Sequence, residues 1–121
     1  MRMKTRKELT SEYKQLKFKM GVFQIRNLIN EKILVESSKN LDAIWNRHRA
    51  QLDFGSHPCK ELQKDWKALG EGNFRFEILS EIEHREGVNV DYDKELKLLE
   101  SMYLEELEPF DEKGYNKQPK Q

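Results

Sequence analysis

Apolar residues along this chain switch between two periods. In residues 21–27 and again from Lys32, stretches rich in Val, Ile and Phe flank a polar turn around Asn30 and Glu31, which predicts two short strands. A helix follows: Asn40 is suited to cap it, Asp42 lies in its first turn, and Leu41, Ile44, Trp45, His48 and Leu52 share one face. The segment from Asp53 to Pro58 reads as a turn, with Pro58 suited to start a helix whose stripe is Leu62, Trp66 and Leu69, closed by Gly70 and Gly72. At Phe74 the period returns to two through Phe76 and Ile78, predicting a third strand with one buried face. Residues 81–89 are polar, acidic and interrupted by Gly87, and are expected to form an exposed, mobile connection. Leu96, Leu99, Tyr103 and Leu107 then mark a long helix stopped by Pro109, with a polar tail that frays beyond Asn116. Upstream, Leu9, Tyr13 and Leu16 predict an additional helix over residues 7–17.

The predicted class is α+β, with a small three-stranded antiparallel sheet flanked by helices and preceded by an extra helix. At 121 residues and 36% hydrophobic content, one domain is expected over 20–116, after a basic helix in 1–19 and before a flexible tail in 117–121. No apolar run approaches the roughly 18 residues of a membrane span, and the amino terminus lacks the apolar centre of a secretory signal, so a cytoplasmic protein without a membrane partner is expected. The single cysteine, Cys59, forms neither an intramolecular disulfide nor by itself a thiolate zinc site, and reads as a packing residue near a helix start.

The zero net charge hides a gradient. Residues 1–76 hold 16 basic against 9 acidic side chains, whereas residues 77–112 hold 3 against 13. Such a chain attracts a phosphate backbone on one face only. The candidate contacts are Lys14, Lys17, Arg47 and Arg49, although basic residues on exposed helix faces are also simply solvated.

The order and spacing of several segments resemble the GIY-YIG endonuclease family over nearly the whole chain. Gly21, Val22 and Phe23 stand where the family has Gly, Ile or Val, and Tyr; Leu34, Val35 and Glu36 stand where it has Tyr, Ile or Val, and Gly. SSKNL then leads into a helix, NFRFEIL matches the third strand, and LLESMYLEELEPF followed by GYN is similar to the glutamate helix and its asparagine-bearing end. The resemblance implies a scaffold for metal-assisted phosphodiester hydrolysis, with tyrosines near the attacking water, an arginine on the phosphate and a glutamate on Mg²⁺ or Mn²⁺. It also implies that this chain has exchanged much of that chemistry. The tyrosine positions fall on Phe23 and Leu34, which relay no proton; the glycine position falls on Glu36, whose charge opposes a phosphate; the arginine position falls on Ile44.

Glu100 and Asn116 retain the family's residue types, which makes Glu100 the candidate metal ligand. Glu100 lies within the apolar arc of its helix, so it needs either a metal or a hydrogen-bonding partner. His48, on the apolar face beside Trp45, is a candidate base or a hydrogen-bonded core residue, while Arg47 and Arg49, about a turn beyond Ile44, are candidate replacements for the phosphate contact. His57 and His84 fall in predicted loops without ligand spacing. Losing an electrostatic stabiliser costs on the order of 10² to 10³ in rate, and losing acid–base assistance roughly 10² to 10⁴. The expectation is a catalytically impaired nuclease-like domain that binds nucleic acid; the alternatives are a metal-dependent endonuclease with a remodelled site and a protein-interaction or oligomerisation domain.

Overall fold

A computed structural model describes residues 18–85 and 89–118. The helix expected over 7–17, and with it Lys14 and Lys17, lies outside the described residues.

Strand β1 (Met20–Asn27) is the centre of a three-stranded antiparallel sheet, with β2 (Ile33–Ser38) on one side and β3 (Phe74–Ile82) on the other. The β1–β2 turn falls at the predicted position. There Asn27 and Asn30 bend the chain by accepting the backbone N–H groups two residues on, at Ile29 and Lys32, each at 2.9 Å. Arg26 and Gln24 on β1 both donate to the Glu77 carboxylate on β3, at 2.7 and 3.0 Å, which pins the register of this pair.

Helices α1 (Leu41–Phe54) and α2 (Lys60–Leu69) enclose the main core. This core joins Phe23, Ile25 and Leu34 of the sheet to Leu41, Leu52, Leu62 and Trp66 of the helices, with Phe74 and Tyr115. Asn40 caps α1 as expected, its side chain accepting from the Ala43 N–H at 3.1 Å. Helix α3 (Tyr92–Leu107) packs against β2 and β1, and Leu96 is its buried residue.

Three boundaries differ from the sequence reading. Asp53 and Phe54 are helical rather than part of the turn, because Gly55 ends α1 in a left-handed conformation (φ 86°) with its N–H on the carbonyls of Gln51 and Leu52. Helix α2 begins at Lys60 rather than Pro58, with Cys59 in the extended cap position. Glu81 and Ile82 belong to β3 rather than to the following connection, since they pair with Gly21 and Met20.

Candidate functional cleft

Alternation along β2 decides which side chains meet. Leu34 and Glu36 line a cleft of about 900 Å³ beside α1, together with Ile44, Arg47, His48, His57 and the segment 114–118. Ser37 points elsewhere: it lines a separate cavity with Lys39, Asp93, Lys97 and Glu100. Thus Leu34, Glu36 and Ile44 are brought together with Arg47 and His48, whereas Glu100 is not among them.

The centre of the cleft is a line of three polar groups. The backbone N–H of Cys59 donates to His57 Nδ1 at 3.0 Å, so this nitrogen must offer a lone pair and the ring proton of neutral His57 sits on Nε2. His57 Nε2 lies 2.7 Å from His48 Nδ1, which therefore accepts. The proton of neutral His48 is left on Nε2, facing Glu36 Oε1 at 3.5 Å. One backbone amide thus fixes the tautomers of both rings and directs their protons toward Glu36. Both imidazoles are buried, the rings stack with centroids 5.0 Å apart, and Phe23 meets His48 edge-on at 5.8 Å. His48 Nε2 is itself buried and has no hydrogen bond shorter than its long approach to Glu36.

Burial lowers the pKa of His57 from its ordinary value of 6.5, and the neighbouring His48 lowers it further, against the opposing attraction of Glu36. The unfolded chain therefore binds a proton at His57 before the folded one does. This contribution to stability is complete above 6.5 and declines as pH falls from there toward the depressed native value. Chemical denaturation at about pH 7.5 and about pH 5.5 is expected to give a lower midpoint in acid. The difference should shrink in His57→Gln; an unchanged difference would assign the acid sensitivity elsewhere.

The far wall is built by the residues after Pro109. Asn116 accepts from the Val35 N–H and donates to the Val35 carbonyl, both at 2.8 Å, so its side chain serves β2 as a strand partner would. Tyr115 donates to Asp65 at 2.6 Å and accepts from the fully buried Asn27 at 3.0 Å. Burial, and then the Asp65 carboxylate, push its phenol pKa well up, so it remains a hydrogen-bond donor. Lys32 spans this region, bonding Glu61 and lying over the Tyr115 ring.

The other predicted residues divide. Arg47 is exposed at the cleft. Arg49 is engaged by Glu71 at 3.2 Å and lies over the Trp45 ring, so it supports α1 rather than the cleft. Glu100 accepts from the Ser37 hydroxyl at 2.7 Å, which supplies the partner that its position on α3 requires. Lys39 and Lys97 also line its cavity, and Lys39 engages Asp93 at 3.0 Å. Two carboxylates line this cavity, Asp93 held by Lys39 and Glu100 by Ser37, and no group of three His, Cys, Asp or Glu suited to a metal occurs among the described residues. Sequence reasoning missed His57, whose only signal is its place between the helix-ending Gly55 and Pro58.

No protein-family model matches the chain. Intron-associated endonuclease 1 of Enterobacteria phage T4 is 33% identical over 73 residues, covering 60% of this chain and 29% of that protein. The chain therefore spans less than a third of the length of this curated relative. Two solved structures of the catalytic domain of the intron endonuclease I-TevI, one of them a substituted form, are each 29% identical to it. They superpose with TM-scores of 0.68 and 0.67, matching 82% and 83% of this chain and 93% and 99% of theirs. Among the described residues no helix is long and apolar enough to cross a membrane. Sequence and three-dimensional similarity to the I-TevI catalytic domain together support placing the chain with the GIY-YIG endonuclease family.

Proposed function

We propose that this chain is a nucleic-acid-binding domain on a nuclease scaffold, with hydrolysis by the family's route strongly impaired. The observation that carries this reading is the apolar chemistry at three motif positions: Phe23 is fully buried, and Leu34 and Ile44 line the cleft without a group that moves a proton or neutralises a phosphate. Arg47 and the cleft-lining Lys60 and Lys117 provide positive charge for a phosphate backbone. Binding is expected to be nonspecific and salt-sensitive, weakened when Lys14, Lys17, Arg47 and Arg49 are replaced by Ala.

A second reading, a rebuilt nuclease, is favoured by one feature, the line from His57 through His48 to Glu36, which has the proton-handling capacity that the apolar positions lack. Incubation with supercoiled and branched DNA in Mg²⁺ or Mn²⁺ separates the two. The expected result is no metal-dependent cleavage above a protein-free control, alongside DNA affinity that falls with salt. Robust cleavage abolished by Glu100→Ala or by Glu36→Gln would establish the rebuilt nuclease. Cleavage surviving both substitutions would point to a contaminating enzyme.

A further inference from the structure

We propose that Glu36, His48 and His57 form a proton-operated gate that makes phosphate binding in the cleft depend on pH, tight in mild acid and weak at neutrality. The inference rests on the nucleic-acid reading above and specifies how that site is regulated.

The first support is charge balance. The formal charges lining the cleft are Glu36, Glu61 and Asp111 against Arg47, Lys60 and Lys117, contributed by β2, α2, the C-terminal segment and α1. Three negative groups face three positive ones, and Glu61 is also bonded to Lys32. Glu36 is the only acid of this set on the sheet, where its carboxylate stands beside Leu34 and His48 and opposes an incoming phosphate. One added proton tips the lining from balance to a net positive charge.

The second support is the commitment of the ring nitrogens. In the neutral pair His57 Nδ1 accepts from the Cys59 amide, His57 Nε2 donates to His48 Nδ1, and His48 Nε2 carries the remaining proton, buried without a hydrogen bond and 3.5 Å from Glu36. An added proton therefore finds no vacant lone pair. It enters at His48 Nδ1 only if His57 Nε2 becomes the acceptor, and His57 must then carry its own proton on Nδ1, breaking its bond with the Cys59 N–H. The product is a linked pair carrying one positive charge, with His48 Nε2–H facing the Glu36 carboxylate at 3.5 Å, where that charge offsets the carboxylate's repulsion of a phosphate. Protonation is thus coupled to the loop that leads into α2, and the gate has two arrangements rather than a continuous response.

The linkage is bounded. Uptake of one proton changes phosphate affinity by no more than about tenfold per pH unit. A unit charge several ångströms from a phosphate in a partly hydrated cleft supports a total change of roughly tenfold. Nitrogen-15 spectra of the imidazole rings, recorded beside the anisotropy of a short labelled DNA duplex at constant ionic strength, test the proposal between about pH 8 and about pH 5.5. The expected result has three parts: His57 carries its proton on Nε2 at the upper limit and gains one on Nδ1 in acid; duplex affinity rises roughly tenfold over the same interval; and Glu36→Gln binds at neutrality nearly as tightly as the unsubstituted protein does in acid. His48→Gln and His57→Gln should flatten the profile, and where either fails to fold, as judged by circular dichroism, Glu36→Gln decides. A His57 proton on Nδ1 at neutrality, a full acid response in either histidine variant, or a Glu36→Gln affinity no tighter than that of the parent overturns the gate. Inorganic phosphate, titrated by the same spectra, separates the two levels of inference. Acid-dependent phosphate binding without duplex binding would support the gate and overturn the nucleic-acid reading, whereas duplex binding with no dependence on the histidine line would do the reverse.

Discussion

Phe23→Ala is expected to destabilise the protein by about 3–5 kcal/mol, a large part of the roughly 5–15 kcal/mol available to a domain of ordinary stability. The ring is fully buried on the central strand, 5.1 Å from Phe76 and 5.8 Å from His48, so its removal opens a void between the sheet and α1. Backbone on the central strand cannot relax into that void without disturbing its pairing with both β2 and β3. The same position that resembles a catalytic tyrosine is here a structural centre. Denaturant unfolding with an unchanged slope and a much lower midpoint would confirm it. A loss below about 1 kcal/mol would show that the core does not close around this ring.

Gly114→Ala is expected to be comparably severe, through excess volume rather than its loss. A Cβ at this buried position would sit 2.3 Å from the Pro109 carbonyl oxygen and 2.5 Å from that of Ile33. Both neighbours are backbone, so no side chain can swing aside. The segment must lift from β2, weakening the Tyr115 N–H bond to the Ile33 carbonyl (2.9 Å) and displacing the Asn116 clasp. The expected cost is about 1–3 kcal/mol for the overlap, plus about 1 kcal/mol for each backbone or amide hydrogen bond lost. Hydrogen exchange checks the location: faster exchange confined first to the amides of Val35 and Tyr115 is the expected pattern, and uniform acceleration across the sheet would contradict it.

Much of this architecture is legible in the sequence because alternation and helical spacing are local consequences of backbone geometry. The strand containing Phe23 and Ile25, the Asn40 cap and the Leu96 helix all carry such signals. The boundaries that moved depend on partners distant in sequence: Glu81 and Ile82 join β3 because Gly21 and Met20 are available to pair with them. Asp53 remains helical where its carboxylate receives the Trp66 indole N–H at 3.1 Å. At the candidate cleft, the exchanges at Leu34, Glu36 and Ile44 could be read directly, and alternation implied that Leu34 and Glu36 face together. The pairing of His48 with His57 could not. It depends on α1 ending at Gly55 and the next residues turning His57 back beneath the helix, a relation with no fixed spacing signature. Nor did helical periodicity reveal what Glu100 meets, since its hydroxyl partner belongs to β2.

The Asn116 clasp has a further consequence for how copies of this protein encounter one another. The outer margin of β2 is occupied, because Ile33 bridges Gly114 and the Asn116 amide satisfies both backbone groups of Val35. A strand from another molecule would have to displace those bonds before adding there, whereas β3 forms the opposite margin and, among the described residues, pairs within the sheet only with β1. Its exposed Glu81, with Glu83 just beyond its end, gives that margin an acidic character that repels an identical neighbour. One side of the sheet thus resists aggregation by occupancy and the other by charge, so raised ionic strength would weaken the protection at β3 while leaving that at β2 in place.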